Sequence, residues 1–230
     1  MKKSISFLLA CSIVITVMHF SSCKKEDSDT VDQDKIWAYY EVYYDKNQDK
    51  TFARATFKFS NSLGTNLELK SPAVVRFNGD QLTFQTALAY YEKQYAGFVS
   101  AGTFGYTDLD NHTFNNSITG IKPIAFPMID TIHTANSFTL NWVGDSLRAG
   151  ESVNLWLDGI NQNNSEFFYQ NNLNSHSIIC AANQLQNLGN GTGTGWMERV
   201  LAPSIQSTTS AGGEIKGKYK ALNLSTKIAN

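Results

Sequence analysis

Apolar and polar side chains alternate with a period of two residues along most of the chain from Ile36 onward. Between residues 51 and 59, for example, Ala53, Ala55 and Phe57 fall on one face and Arg54 falls on the other. Successive side chains of a β-strand point to opposite faces of its sheet, whereas a helical face repeats about every 3.6 residues. The pattern therefore predicts an all-β protein whose strands have one face in a core and one face mostly in water.

Turn and breaker residues divide these strand segments into two series. About five or six strand segments fit between residues 36 and 118, and a second series follows Gly120 and Pro127. We therefore predict two immunoglobulin-like antiparallel β-sandwich domains in tandem, at residues 35–121 and 122–230, since such a sandwich needs roughly 100 residues. One larger sandwich or barrel is the alternative, because the junction is short and has no polar linker.

The amino terminus has the features of an export signal. Lys2 and Lys3 precede an apolar stretch over residues 5–20, which is shorter than the roughly 20 apolar residues of a membrane span. This stretch ends in Phe20-Ser21-Ser22-Cys23. The segment resembles the processing site of bacterial lipoproteins, although that family's motif prefers Leu in place of Phe20 and Gly or Ala in place of Ser22. The resemblance implies that residues 1–22 are removed as a signal peptide and that Cys23 becomes lipidated.

Residues 23–34 are polar and charged, and Val31 is their one sizeable apolar side chain. Such a segment buries too little surface to offset the entropy of ordering, so we predict a disordered, lipidated tether. The resemblance to lipoproteins with charged residues directly after the acylated cysteine implies an outer-membrane protein that faces the cell exterior. The periplasmic face is the alternative. The membrane, reached through this anchor, is thus a predicted partner.

Charge and cysteine content restrict the remaining possibilities. The whole chain has 19 basic and 20 acidic residues, and loss of the leader with Lys2 and Lys3 makes the protein more negative. It therefore has no basic footprint for nucleic acid, which we exclude as a partner. Once Cys11 leaves with the leader and Cys23 carries lipid, Cys180 is alone between apolar neighbours and is predicted to be a small buried hydrophobe.

Oxygen-bearing side chains recur at every second position of one predicted turn, at Asp45, Asn47 and Asp49. This spacing is that of the first half of an EF-hand calcium loop, so the three residues are a candidate metal site. The same loop needs a glycine at its sixth position and a bidentate acid at its twelfth, where this chain has Lys50 and Thr56. A calcium-free hairpin turn is therefore the preferred interpretation, with calcium as the one cofactor left open.

An aromatic triplet, Phe167-Phe168-Tyr169, lies within a stretch from 161 to 174 that is rich in Asn and Gln. Flat rings stack on the apolar faces of sugars, and amides can hydrogen-bond sugar hydroxyls. We therefore predict a ligand-binding patch at Phe167, Phe168 and Tyr169 for an extracellular glycan or protein. Trp142 and Trp156 lie inside alternating strand segments and are predicted to be core residues.

Catalytic motifs are missing from the sequence. His112, His133 and His176 stand apart from any recognisable nucleophile motif, and neither G-x-S-x-G nor H-E-x-x-H occurs. We therefore predict a non-catalytic binding module with no resident cofactor. The alternatives are a structural, adhesin-like assembly subunit, and an all-β hydrolase whose carboxylates come together only in the fold.

Overall fold

The computed structural model describes residues 25–159 and 164–230, and it confirms the predicted all-β class. The strands before residue 121 are β1 Lys25–Asp27, β2 Ile36–Asp45, β3 Lys50–Phe59, β4 Asn66–Glu68, β5 Val74–Phe77, β6 Asp80–Gln81, β7 Thr83–Gln85, β8 Tyr90–Ala96, β9 Gly102–Thr107 and β10 Thr113–Ile118. Those after it are β11 Thr131–His133, β12 Phe138–Asn141, β13 Glu151–Asp158, β14 Ser165–Gln170, β15 Ser177–Cys180, β16 Gly191–Leu201, β17 Gly213–Lys220 and β18 Leu224–Ala229. A short helix, α1 Ala182–Leu185, continues into a 3-10 turn at Gln186–Leu188.

Twelve of these strands form one sheet. Its main path runs β1-β4-β3-β2-β17-β16-β13-β14, with β8 and β7 added beside β3 and with β18 and β11 added beside β16. The central pair is parallel: β2 and β17 are in register from Ala38 opposite Gly213 to Asp45 opposite Lys220. A strand from near the carboxyl terminus therefore joins the first long strand of the chain in the middle of the sheet.

The two separate sandwiches predicted at residues 35–121 and 122–230 are not confirmed. The sheet contains strands from both sides of that boundary, and one hydrophobic cluster draws buried residues from both sides. The reason lies in pairing: alternation along a sequence shows where strands are, but it does not show that residues 213–220 return to residues 36–45.

Two smaller sheets cover one side of the large sheet, which we call its inner face. The four-stranded sheet β10-β9-β5-β6 packs on the first half, where the rings of Tyr40 and Phe104 are 4.9 Å apart and those of Phe57 and Tyr106 are 4.5 Å apart. The two-stranded sheet β12-β15 adds Leu140 and Ile178 to the same core. The opposite side of the large sheet is its outer face.

A glycine allows the core to close over the central strand. A Cβ atom on Gly217 of β17 would lie 2.5 Å from Ile121 and 2.8 Å from Ile118. Ile118 is the last residue of β10 and Ile121 lies three residues after it, so the chain crosses directly over β17 as it leaves the first half. Any side chain at position 217 would push this crossing away from the sheet.

The predicted alternation is confirmed in the strands where it was clearest. Ala53, Ala55 and Phe57 have no exposed surface and face the inner side, whereas Arg54 lies on the outer face. Cys180 is also fully buried, as predicted, and burial raises the pKa of its thiol to about 12. The thiolate, which is the reactive form, is therefore scarce at neutral pH.

Residues 25–34 are ordered, which corrects the prediction of a disordered tether over residues 23–34. β1 pairs in parallel with β4, and the buried Ser28 hydroxyl accepts a hydrogen bond from the Lys70 backbone N–H. The Gln33 side chain is also buried and donates to the Ser28 carbonyl at 2.7 Å. Backbone and side-chain hydrogen bonds, which composition does not show, order this segment despite its polarity.

One ion pair lies inside the core beside β13 and β16. Arg199 and Glu151 are 1 % and 3 % exposed, and a guanidinium nitrogen lies 2.6 Å from a carboxylate oxygen. Arg199 also donates to the carbonyls of Asp145 and Ser146, while the carboxylate of Glu151 accepts from the backbone and side chain of Arg148. The pair therefore holds the loop before β13 against the sheet.

Replacing Glu151 with alanine should lower the free energy of unfolding by about 3 kcal/mol or more, because the Arg199 charge would remain buried without its partner. Urea denaturation of the two proteins measures this difference. Glu214→Ala is the matched control, since Glu214 pairs with Lys216 at the surface, where such pairs contribute less than about 1 kcal/mol. Equal effects of the two substitutions would contradict a structural role for the buried pair.

The same pair predicts how stability depends on pH. Burial alone would raise the pKa of Glu151, but hydrogen bonds from Arg148 and Arg199 outweigh it and lower the pKa below its ordinary value of 4.5. The stabilisation is therefore present above pH 4.5 and is lost as the pH falls through the lowered pKa. The stability difference between the wild type and Glu151→Gln, measured by urea denaturation, should shrink from pH 7 to pH 3. A difference that stays constant would contradict the lowered pKa of Glu151.

Candidate functional site

The outer face carries a row of aromatic and charged side chains across six neighbouring strands, from β14 to β3. The register places Trp156 of β13 opposite Phe167 of β14 on one side and opposite Trp196 of β16 on the other. It also places Lys218 of β17 opposite Tyr43 of β2. Since side chains alternate between faces, these residues all point away from the core.

An aromatic stack occupies the β14 end of this row. The rings of Trp156 and Trp196 are parallel within 6° and 3.6 Å apart, and the ring of Phe167 is 4.6 Å from that of Trp156. The ammonium group of Lys220 lies 5.7 Å from the ring centre of Trp196. Trp156 therefore has a ring on both sides, whereas Trp196 has a ring on one side and a cation on the other.

Arg54 organises the opposite end of the row. Its guanidinium lies 4.8 Å from the ring centre of Phe52 and 5.4 Å from those of Tyr43 and Tyr90. It also contacts carboxylates on both neighbouring strands, Glu92 at 2.8 Å and Glu41 at 3.4 Å. Burial alone would lower the pKa of Arg54, but the hydrogen bond to Glu92 and the charge of Glu41 outweigh it and raise the pKa.

A shallow depression of about 280 Å³ lies between the aromatic stack and the Arg54 cluster. It is lined by Glu41, Tyr43, Arg54, Trp196, Glu198, Lys218 and Lys220. We call it the central depression.

Its charged groups are held in place by one another. Lys218 bonds Glu41 at 2.7 Å, and Lys220 lies 3.6 Å from Asp45. Glu198 accepts a hydrogen bond from Asn154 at 2.9 Å. Ordered hydrogen-bond donors and acceptors next to aromatic rings can bind an uncharged molecule that has many hydroxyl groups.

The tyrosines of the site remain neutral hydrogen-bonding groups. Burial, with the nearby Asp45 charge, raises the pKa of Tyr43 above its ordinary value of 10. Burial, with the Glu41 charge, does the same for Tyr39, whose hydroxyl donates to Glu41 at 3.0 Å. Both phenols therefore stay protonated at neutral pH.

The predicted triplet divides between the two faces of the sheet. Phe167 and Tyr169 are exposed on the outer face, at 46 % and 52 %, whereas Phe168 is 4 % exposed and belongs to the core. The prediction that Phe168 binds a ligand is therefore wrong, because consecutive residues of a strand point in opposite directions.

The two tryptophans predicted to be core differ in the same way. Trp142 is buried, as predicted, but Trp156 is only partly buried and lies on the outer face. The sequence contains the signal that was missed: Val153, Leu155 and Leu157 mark the inner positions of β13, so Trp156 has the parity of the outer ones.

The candidate calcium residues form a hydrogen-bonded turn. The Asp45 carboxylate accepts from the backbone and side chain of Asn47, at 2.9 and 2.8 Å, and the Asp49 carboxylate accepts from the Tyr44 hydroxyl at 2.6 Å. Burial would raise the pKa of Asp45, but the bonds from Asn47 outweigh it and lower it. The turn is thus held by its own side-chain hydrogen bonds.

Among the described residues, Asp108, Asp110 and His112 bring three potential metal ligands within 4.8 Å of one another. The buried Asp108 carboxylate already accepts the backbone N–H groups of Asp110 and His112, at 2.9 and 2.8 Å. Cys23, the predicted lipidation site, lies outside the described residues. In the described ranges, the helical segments are too short and too polar to cross a membrane.

Comparisons with known proteins give little. No family model matches the chain, and no curated protein matches it. A solved structure from work on host cell surface retention of a 1.5-MDa bacterial ice-binding adhesin is similar over 84 % of this chain, with 13 % identity and a TM-score of 0.25. The match covers 64 % of that structure's own chain. A similarity this low supports no functional inference.

Phe168→Ala and Phe167→Ala should differ sharply in stability, because the first removes a core ring and the second an exposed one. We expect a loss of about 3 to 5 kcal/mol for Phe168→Ala and less than about 1 kcal/mol for Phe167→Ala. Thermal and urea denaturation measure both values. Similar losses for the two variants would contradict the orientation of β14.

Proposed function

We propose that this protein is a bacterial lipoprotein, anchored in the outer membrane through Cys23 and facing the cell exterior, that binds a glycan in the central depression. The single observation that carries the binding role is the position of Trp196 and Tyr43 beside a set of paired charged groups on the open face of the sheet. The role involves no chemistry.

The form of the site favours a sugar over a flat protein partner. Its volume of about 280 Å³ is slightly below the usual range for small-ligand pockets, which is roughly 300 to 1,000 Å³, so it accommodates a single sugar unit. Carboxylates and ammonium groups alternate around it, and each can hydrogen-bond a hydroxyl while it stays paired. The edge of the Trp196 ring lines the depression and adds an apolar contact beside these groups.

The outer face continues beyond the depression, which suits a chain of sugars. The stack of Trp196, Trp156 and Phe167 leads from the depression to the exposed Tyr169 at the sheet edge. A glycan lying across the strands would meet ring edges along this row. The row therefore extends the site from the depression to the β14 edge of the sheet.

A glycan array probed with the soluble protein, residues 25–230, tests the binding role. Trp196→Ala should weaken binding to any glycan that is found by at least about tenfold, or about 1.4 kcal/mol. Trp37→Ala is the matched control, because Trp37 lies on the same face but six residues from Tyr43 along β2, roughly 20 Å away. It should bind like the wild type.

A blank array would overturn the glycan role, and concentration-dependent oligomers in the same preparation would favour the adhesin-like assembly instead. Equal losses for Trp196→Ala and Trp37→Ala would place the site elsewhere. Calcium should make no difference, given the hydrogen-bonded turn at Asp45.

The anchor has a separate test in cells. Cys23→Ala should abolish acylation and release the protein from membranes, because several acyl chains together provide a stable attachment. Mass spectrometry and membrane fractionation measure the two effects, and protease treatment of whole cells shows which side is exposed. Full membrane retention of Cys23→Ala would contradict the anchor.

A further inference from the structure

The body begins almost immediately after the proposed anchor. Lys25 is the first residue of β1 and pairs with Asn66 of β4, and the Lys25 ammonium forms an ion pair with Glu68. Cys23 precedes it by two residues, so their Cα atoms are at most about 7 Å apart. The order found in residues 25–34 thus removes the long tether that the sequence suggested. A lipid on Cys23 would bring this end of the folded body to the membrane surface.

An exposed leucine lies beside this point of entry. Leu63 is 93 % exposed in the turn between β3 and β4, three residues before Asn66, which is the partner of Lys25. Three residues span at most about 11 Å. Phe59, the last residue of β3, lies at the start of the same turn and is 37 % exposed.

A second exposed leucine is directed to the same end of the sheet. Leu88 is 62 % exposed in the turn between β7 and β8. β8 is antiparallel to β3, and its early residue Tyr91 lies opposite Ala55, so the turn before β8 is on the side where β3 ends. The Lys25 ammonium also lies 5.1 Å from the ring centre of Phe84 in β7, which connects this hairpin to the point of entry.

Lysines lie at the turn that carries Leu63 and beside the point of chain entry. The Lys58 ammonium bonds the Ser62 carbonyl at 2.7 Å and so fixes the turn that carries Leu63. Lys70 pairs with Asp27 at 3.0 Å beside β1. An apolar tip with lysines nearby, as at Leu63, is favourable at the boundary between head groups and acyl chains.

We propose that the turns carrying Leu63 and Leu88 insert into the lipid head-group region and hold the body in one orientation on the membrane. This seating rests on the proposed acylation of Cys23. Three features at one end of the sheet support it: the exposed Leu63, the exposed Leu88 on a separate turn, and the start of the folded body two residues after Cys23.

This orientation places the sugar site away from the bilayer along the strands. β3 ends at Phe59, next to the turn that carries Leu63, and Arg54 lies five residues before that end. Tyr43 lies opposite Phe52, seven residues before it. At about 3.3 Å per residue, these positions are roughly 17 and 23 Å from the membrane end of β3.

The test uses the full chain expressed in cells, purified from membranes and reconstituted in phosphatidylcholine vesicles. A single cysteine replaces Leu63 or Leu88 and carries an environment-sensitive fluorophore. Leu222→Cys is the matched control, because Leu222 is 57 % exposed in the turn after β17, at the opposite end of the strands. Cys180 is fully buried and does not compete for the label.

Nitroxide-bearing lipids should quench the labels at 63 and 88 at least twice as strongly as the label at 222, and a water-soluble quencher should show the reverse order. Equal quenching at all three positions, in protein whose mass includes the acyl chains on Cys23, would overturn the seating and leave the anchor intact. A mass without acyl chains would overturn the anchor itself, and the seating with it.

Discussion

The parallel pairing of β2 with β17 is the interaction on which the rest of the fold depends. Eight consecutive residue pairs, from Ala38 with Gly213 to Asp45 with Lys220, connect strands more than 170 positions apart in the chain. Without this pairing, the first half would be a sheet ending at β2 and the second a sheet ending at β17, each with an open edge. The pairing makes them one surface, and Gly217 lets the chain cross over it between the halves.

The outer face acquires its chemistry from the same register. A shift of one residue would turn every side chain to the other face, so the positions of Trp156, Trp196 and Tyr43 follow from the ladder that buries Val153, Leu155 and Val42. The central depression lies where strands from the two halves meet, since Glu41, Tyr43 and Arg54 come from the first half and Trp196 and Lys218 from the second. A site of this composition exists only when the halves form a single sheet.

Local features were predictable from the sequence, whereas pairing was not. Alternation identified the strands and their buried sides at Ala53, Ala55 and Phe57, and apolar neighbours correctly indicated a buried Cys180. The same parity would have assigned Phe168 to the core and Trp156 to the outer face. The prediction instead treated residues 167–169 as one patch, and it placed Trp156 in the core because Trp156 lies inside an alternating strand segment. The order of residues 25–34 depends on contacts with β4 and Lys70, which lie about 40 residues away. Long-range partners of this kind leave no periodic signal in one sequence.

The central claim is that the two halves fold as one unit through β2 and β17, and native-state hydrogen exchange of residues 25–230 tests it most directly. The account predicts that the slowest amides in β2, β17 and β13 exchange with one common free energy, equal to that of global unfolding, as increasing urea is added. Protection in the second half that disappears at lower urea, while the strands of the first half stay protected, would show two independent domains and contradict the account.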